Sequence, residues 1–308
     1  MPAFSGTVEG PALRLDRYVA EYLGLLSRSQ VKSRSMTALV NGKQVKRSRI
    51  LKAGDRLELC WEEAESLDLT AQDLPLTVLY EDSRVIVIDK AQGMVVHPGA
   101  GNHSGTLVNA LLYRLQGTPA GALPALPGAP RRPWIVHRLD KDTSGVMICA
   151  WDEETLAFLS GEFKARRVGK RYAAILRGVL PEPSGRIETT LCRDRRDRRR
   201  FTVGEKGKAA VTSFRLIRSW NTHSLVLLRP HTGRTHQLRV QMAHLGHPVL
   251  GDPIYGSRDP LFPTATLMLH AKSLSLALPG EPGRRVFKAP LPDRFRPLLG
   301  PGRRGPKS

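Results

Sequence analysis

The sequence predicts an α+β protein, because strand-like runs, several of them paired as hairpins, alternate with segments of helical spacing. Residues 40–45 contain Asn-Gly, the dipeptide that supplies the positive φ angles of a type I′ hairpin turn. Residues 76–80 and 84–90 flank a short polar turn, and the second run is apolar and β-branched, which predicts a buried strand. In residues 154–166 the apolar side chains recur at helical spacing, which predicts a helix.

Length and composition favour a two-domain protein with a polyanionic partner. The chain has 308 residues and a net charge of +20, and such an excess of Lys and Arg indicates nucleic acid or an anionic membrane surface. The three cysteines form no CxxC pair, which argues against a disulfide framework and favours a reducing compartment. There is no apolar run of transmembrane length and no signal segment in residues 1–10, so we expect a cytoplasmic protein with no membrane partner.

The N-terminal region combines helix and hairpin signals. Residues 1–12 contain glycine and proline and predict a loose start. Residues 13–23 have apolar positions near helical spacing, and Ser27 is a candidate N-cap for a second helix. After the predicted hairpin at residues 40–45, residues 56–61 alternate like a strand.

Two helices followed by small strands resemble the S4 RNA-binding domain, which we place at residues 13–63. The matching motifs lie at residues 14–16, 26–30, 40–45 and 53–55. Residues 32–37 depart from the family pattern, in which a helix end is followed by a glycine-containing turn. Taken alone, basic residues of this kind more often belong to a solvated helix face, but the resemblance to the S4 domain favours RNA contact. The candidate phosphate ligands are Arg28, Lys32, Arg34 and Lys43.

The most informative stretch is residues 134–150, in which two apolar runs flank a polar centre at residues 137–145. Each flank has the length and β-branched composition of a short strand. The centre carries acids, bases, hydroxyls and a terminal glycine, which predicts a functional site at the end of a sheet. The alternative is an ordinary turn whose Asp, Thr and Ser satisfy their own backbone. Before this stretch, residues 106–112 predict a helix packed on the sheet, and the glycine- and proline-rich residues 117–133 predict a surface loop.

A cluster of arginines lies between two further predicted strands, residues 187–192 and 211–217. Residues 193–200 contain six arginines. A charged hairpin tip can be merely solvated, but on a chain of this net charge it predicts phosphate binding, with Arg198 and Arg199 as candidates.

Histidines are frequent in residues 229–252, where a turn at residues 232–236 is predicted to lead into a helix over residues 237–245. Clustered histidines invite a metal-site interpretation. No HExxH or comparable ligand set is present, so we expect no metal.

Residues 137–145, His-Arg-Leu-Asp-Lys-Asp-Thr-Ser-Gly, resemble the signature of the RluA-type pseudouridine synthases. Further similar segments lie at residues 93–99, 170–172, 233–239, 269–271 and 287–292. The resemblance implies the pseudouridine synthase fold, a mixed, largely antiparallel sheet with flanking helices, over residues 74–299. Gln241 is a departure, because the family often has histidine there. Residues 300–308 predict a disordered basic tail.

The resemblance also implies roles for individual residues. The aspartate after His-Arg-Leu is the catalytic carboxylate, here Asp140. The last arginine of Gly-Arg-Thr-His-Gln-Leu-Arg, here Arg239, pairs with it. Tyr172 lies in the active site, where it stacks on the uracil or mediates proton transfer, and Arg138 holds the opened RNA.

The chemistry of uridine isomerisation is consistent with these roles. The reaction breaks an N-glycosidic bond, turns the uracil and rejoins it through carbon, so it needs an ionised carboxylate and no redox cofactor. Burial alone would raise the pKa of Asp140, and the charge of Arg239 opposes that rise. A glycosidase would need a second acid at a suitable separation, and Asp142, only two residues away, suits support of the turn. The target base must also leave its stack.

We therefore expect a monomeric pseudouridine synthase that uses no cofactor or metal and acts on structured RNA. Resemblance to members that carry an S4 domain favours 23S ribosomal RNA, free or in a large-subunit precursor, and leaves tRNA open. The alternatives from other classes are a non-catalytic RNA-binding or ribosome-assembly factor and a metal-dependent nuclease. The joint presence of Asp140, Tyr172 and Arg239 argues against the binding factor.

Overall fold

The computed structural model describes residues 3–26, 31, 35–62, 70–99, 101–116, 134–197 and 199–299. The chain divides into two compact units, Met1–Asp68 and Leu69–Ser308. The predicted loop at residues 117–133 and the predicted tail at residues 300–308 lie outside the described residues, as does all of the predicted helix after Ser27 except residue 31. Within the described ranges, no helix combines the length and apolarity needed to cross a bilayer.

The first unit is built on a four-stranded antiparallel sheet in the order β1-β4-β2-β3. Its strands are β1 (Ala3–Thr7), β2 (Thr37–Val40), β3 (Lys43–Gln44) and β4 (Arg56–Cys60). A short helix α1 (Leu15–Arg17) continues into a π-helical turn, Tyr18–Tyr22, and buries Leu15, Tyr18 and Val19 against the sheet residues of the same core.

Two predictions for this unit had opposite outcomes. Asn41 and Gly42 have φ angles of 51° and 75°, as the predicted type I′ turn requires. The loose start predicted for residues 1–12 was wrong for residues 3–7, because β1 pairs with β4 along its whole length. Small and polar residues give this edge strand no apolar alternation, so backbone hydrogen bonds rather than a sequence pattern define it.

The second unit is built on an eleven-stranded sheet with the order β11-β10-β12-β13-β9-β14-β8-β6-β5, to which β7 adds on β8 and β15 adds on β14. Every pair is antiparallel except β8 with β14. The strands are β5 (Thr77–Glu81), β6 (Val85–Lys90), β7 (Trp134–Ile135), β8 (Ser144–Ala150), β9 (Gly169–Arg177), β10 (Ser184–Arg193), β11 (Phe201–Val203), β12 (Lys208–Ser219), β13 (His223–Pro230), β14 (Leu269–Leu276) and β15 (Arg285–Lys288). The predicted mixed, largely antiparallel sheet is confirmed.

Within the described residues, four α-helices accompany this sheet. They are α2 (Leu107–Gln116), α3 (Glu153–Lys164), α4 (Gln237–His244) and α5 (Arg296–Leu299), with a 3-10 turn at Asp293–Phe295. The carboxylate of Asp152 accepts the backbone N–H of Thr155 at 2.7 Å and so caps the start of α3. Leu107 and Leu111 of α2 belong to one buried cluster with Ile86 and other residues of β6 and β8, so the predicted packing of this helix on the sheet is confirmed.

The polar segment predicted as a functional site joins β7 to β8. Every residue of β8 is buried, which fixes the end of the segment firmly in the sheet. Gly145 has φ of 117°, and a Cβ atom there would collide with the backbone of Ala271 on the neighbouring β14. Only glycine permits this conformation and this close approach of β8 to β14. Gly145 thereby fixes where the polar segment before it joins the sheet.

Candidate active site

A cavity of about 560 Å³ opens where the β7–β8 connection faces the start of α4. Four predicted site residues, Arg138, Asp140, Tyr172 and Arg239, line it together, although they are far apart in the sequence. The cavity wall also carries Lys164, Arg166, Lys170 and Arg234. Asp140 is the one acidic residue among the described residues of the wall, so the cavity suits a polyanionic ligand.

Asp140 lies in the connection between β7 and β8, and 24% of its side chain is exposed. Its Oδ2 atom is 3.4 Å from Nη1 of Arg239 and 3.9 Å from Nε2 of His236. Its backbone oxygen accepts the N–H of Thr143 at 3.1 Å, which closes the turn. The carboxylate therefore faces a guanidinium and an imidazole across the cavity.

Arg239 is held mainly by a residue to which sequence reasoning gave no role. Its Nε and Nη2 atoms each donate a 2.7 Å hydrogen bond to the carboxylate of Asp252. Burial lowers the pKa of Arg239, but the hydrogen bonds and charge of Asp252 outweigh burial and raise it. Burial conversely raises the pKa of Asp252, and Arg239 outweighs it and lowers the pKa. Both groups are ionised, and the predicted pairing of Arg239 with Asp140 is a second, longer contact.

A buried lysine restrains the connection between β7 and β8. Lys90 at the end of β6 is fully buried, and its Nζ donates to the backbone oxygens of Ala91, Met94 and Lys141 at 2.8, 2.8 and 3.0 Å. Lys141 follows Asp140 directly, so this contact restrains the backbone beside the carboxylate. Burial lowers the pKa of Lys90 to about 8, with Asp142 and Asp140 opposing that shift.

Tyr172 and His137 also line the cavity. Burial and the charge of Asp140 raise the pKa of the Tyr172 hydroxyl, which stays protonated near neutral pH. His137 stacks on Phe163 with 4.6 Å between ring centroids, and its Nε2 accepts the backbone N–H of Ile148 at 3.2 Å. Burial, reinforced by Lys170, lowers the pKa of His137 to about 3, so its ring is neutral.

The predicted RNA-binding residues are divided among several places. Arg138 is exposed at the cavity, and Lys43 is exposed at the hairpin of the first unit. Arg199 is exposed in the segment that joins β10 to β11 and pairs with Asp197 at 3.0 Å. Arg28, Lys32, Arg34 and Arg198 lie outside the described residues.

Gln241, where the family often has histidine, is buried and fully hydrogen-bonded. Its Oε1 accepts from Thr212 Oγ1 at 2.6 Å, and its Nε2 donates to Thr189 Oγ1 and to the backbone oxygen of Ala210, both at 3.0 Å. The amide therefore serves the packing of α4 on β10 and β12.

Sequence reasoning missed four residues at this site, namely Lys90, Asp252, His236 and Tyr255, whose hydroxyl lies 2.8 Å from Nδ1 of His236. His236 belonged to a quoted motif, but its position at the carboxylate follows only from the left-handed backbone before α4. Across the described part of the chain, no group of three His, Cys, Asp or Glu side chains lies close enough to hold a metal ion.

The chain is similar to known pseudouridine synthases over most of its length. A family profile described as RNA pseudouridylate synthase matches residues 84–244, which include the whole β7–β8 connection and α4. Ribosomal large subunit pseudouridine synthase D of Borreliella burgdorferi is 40% identical over 296 residues, covering 94% of this chain and 89% of that protein. The synthase of the same name from Xanthomonas campestris is 39% identical and covers 93% of this chain and 88% of its own.

Among solved structures, human RNA Pseudouridylate Synthase Domain Containing 1 is similar with a TM-score of 0.57. It is 29% identical and covers 77% of this chain and 89% of its own. The similarity in sequence and in structure thus extends well beyond the short signature at residues 137–145.

Proposed function

The chain belongs to the RNA pseudouridylate synthase family, and we propose that it isomerises specific uridines of 23S ribosomal RNA through the carboxylate of Asp140. It is an isomerase that acts on RNA. The large-subunit substrate is supported by curated relatives that are named for that activity and match nearly the full length of this chain. The observation that supports Asp140 is its position as the acid of a cationic cavity, 3.4 Å from the Arg239 guanidinium.

Asp140 must stay ionised while the uridine excludes water from the cavity. Desolvation would favour the protonated acid, and a fixed positive charge opposes that change. Arg239 provides such a charge. Its Nε and Nη2 atoms donate to Asp252, and this leaves Nη1 for Asp140. The ionised carboxylate is then available beside the sugar C1′ and the uracil C6 when the glycosidic bond breaks.

The target nucleotide reaches the cavity only after leaving its stack, which costs about a few kcal/mol in a duplex. We assign Arg138, exposed at the cavity, to holding the opened RNA. Tyr172 lies beside Asp140 and contacts the uracil, either as a stacking platform or in the proton transfer that ends the reaction.

The remaining basic residues contact RNA outside the cavity. We assign the first unit to an S4-type RNA-binding role with Arg28, Lys32 and Lys43 as phosphate ligands, and we assign Arg198 and Arg199 to the same task on the second unit. The working form is a cytoplasmic monomer that acts on ribosomal RNA, free or within a large-subunit precursor.

The substrate is tested by tritium release from C5-labelled transcripts of 23S rRNA, 16S rRNA and tRNA, followed by mapping of the pseudouridines formed. We expect release from 23S rRNA at one or a few positions and none from 16S rRNA. Release from tRNA alone would replace the proposed substrate and keep the reaction. Binding of all three RNAs without release from any would contradict the enzymatic function.

A further inference from the structure

His236 lies close to the carboxylate of Asp140, and the proposed function gives this histidine no role. It lies immediately before α4 with φ of 56° and ψ of 15°, a left-handed conformation that is unfavourable for a residue with a side chain. In this conformation Nε2 lies 3.9 Å from Oδ2 of Asp140, and the side chain is 15% exposed. The strained backbone of His236 thus places its imidazole ring beside the carboxylate of Asp140.

The other ring nitrogen of His236 is held by Tyr255. Nδ1 lies 2.8 Å from the Tyr255 hydroxyl oxygen, and the backbone N–H of Phe201 donates to that same oxygen at 2.8 Å. The hydroxyl proton needs an acceptor, and Nδ1 is the acceptor that the described residues place against it. Tyr255 therefore donates to Nδ1, and a neutral His236 carries its proton on Nε2.

The neutral form is the one expected near neutral pH. Burial lowers the pKa of His236, although the charge of Asp140 opposes that effect. Arg239 and Arg138 act in the same direction as burial. A neutral ring whose Nδ1 is occupied as an acceptor has a single N–H, on Nε2, the ring nitrogen that lies 3.9 Å from Oδ2 of Asp140.

The two oxygens of Asp140 have different surroundings. Arg239 Nη1 and His236 Nε2 both approach Oδ2, at 3.4 and 3.9 Å. Among the described residues, none donates a hydrogen bond to Oδ1. The described part of the protein therefore contacts Oδ2, and Oδ1 is open to the nucleotide.

We propose that His236 is a positioning residue of the reaction, whose Nε2–H, directed by Tyr255, acts with Arg239 on Oδ2 of Asp140 and so orients Oδ1 toward the nucleotide. This inference rests on the proposed role of Asp140. His236 is a donor and not a base here, because its Nε2 carries the proton that Tyr255 excludes from Nδ1.

Three substitutions separate the donor role from the backbone role. In His236→Gln the side-chain amide nitrogen takes a place close to that of Nε2, whereas in His236→Asn it falls short, and His236→Gly has no side chain. For the left-handed backbone the preference is the reverse, since glycine is best, asparagine next and glutamine worst. The two explanations therefore predict opposite orders of activity.

The measurement is the single-turnover rate of tritium release from saturating C5-labelled rRNA, together with the Kd for the RNA. We expect His236→Gln to stay within about fivefold of the wild-type rate and both His236→Asn and His236→Gly to fall by about tenfold or more, with unchanged Kd. His244→Gln, an exposed histidine of the same helix, is the control and keeps the wild-type rate. The order Gly above Asn above Gln, or rates equal to wild type in all three, would overturn the inference.

Tyr255→Phe tests the link to the second nitrogen. It keeps the ring that lies beneath Arg200 and Arg239 and removes the hydroxyl. We expect a rate loss of about threefold to tenfold in the wild-type background and none in the His236→Gln background, where no tautomer has to be selected. Equal losses in both backgrounds would overturn the link.

Failure of the inference is distinguishable from failure of the proposed function. If the wild-type enzyme releases tritium and the His236 variants match it, the inference alone is wrong. If the wild-type enzyme releases none from any RNA, the proposed function is wrong and the inference that rests on it is wrong as well.

Discussion

Arg239 forms two 2.7 Å hydrogen bonds with Asp252, and its distance to Asp140 is longer, 3.4 Å. The side chains of Arg239 and Asp252 are 4% and 0% exposed, so each depends on the other for its charge to be compensated. Asp252 also accepts the backbone N–H groups of Ile254 and Tyr255, which fixes its own position. A rigid buried pair thus presents one nitrogen of Arg239 to the carboxylate in the cavity.

Replacing Asp252 with asparagine tests this pair. We expect Asp252→Asn to lower the free energy of unfolding by about 3 kcal/mol, because the buried guanidinium loses its countercharge. Tritium release should also fall, because Asp252 then no longer holds Arg239 in the position that places Nη1 beside Asp140. Urea unfolding measures the first effect, and Asp293→Asn, at an exposed pair with Arg296, is the control with a change of about 0.5 kcal/mol or less. Equal unfolding midpoints for Asp252→Asn and the wild type would contradict the account.

Replacing Lys90 tests how the connection between β7 and β8 is held in place. In Lys90→Met three backbone oxygens lose their donor, and we expect the free energy of unfolding to fall by about 3 kcal/mol. Asp140 should also become less well positioned, because the contact with the Lys141 backbone disappears. The matched control is Lys141→Met, since that side chain is exposed and only its backbone oxygen is used. A Lys90→Met protein with wild-type stability and wild-type tritium release would show that the buried ammonium restrains nothing.

The buried imidazole of His137 should make the free energy of unfolding depend on pH. Its pKa in the folded protein is about 3, below the ordinary value of 6.5, so the unfolded chain binds one more proton between these values. Stability is therefore unaffected by this group above pH 6.5 and decreases as the pH falls toward 3, by about 1.4 kcal/mol per pH unit.

This pH dependence is measured by urea unfolding of the wild type and of His137→Gln between pH 4 and pH 7. Glutamine can still accept the N–H of Ile148, and it does not titrate. We expect the wild type to lose stability with acid faster than the variant. Parallel curves would mean that His137 is protonated in the folded protein as readily as in the unfolded one.

The arginine segment Arg193–Arg200 predicts the salt dependence of RNA binding. Replacing Arg195, Arg196 and Arg199 together with glutamine should reduce the slope of log K against log salt by about 2, because fewer counterions are released. The same three positions changed to lysine keep the charge and should keep the slope. At saturating RNA the rate of tritium release should match the wild type in both variants. A glutamine variant with an unchanged slope would place RNA elsewhere on the surface.

The sequence predicts the features of this protein that depend on local pattern. The apolar run that became β6, the helix α4 and the polar connection before Gly145 all have such patterns. The proximity of Asp140 and Arg239, 99 residues apart, was predicted through family resemblance rather than from spacing.

Features that depend on tertiary burial could not be predicted in this way. A lysine is ordinarily a surface residue, and only the fold shows that Lys90 is fully buried among backbone oxygens. The hydrogen bonds that Arg239 donates to Asp252, and the contact of the Tyr255 hydroxyl with His236, likewise require the loop after α4 to fold back on the helix.

The Asp140 carboxylate performs the chemistry in the proposed reaction, and Asp140→Asn tests this role most directly. The variant keeps the volume and most of the hydrogen bonding of the side chain and removes its charge. Single-turnover tritium release from C5-labelled 23S rRNA should be abolished, with the RNA Kd close to that of the wild type, while Asp142→Asn in the same turn keeps its activity. Release by Asp140→Asn at the wild-type rate would contradict the account.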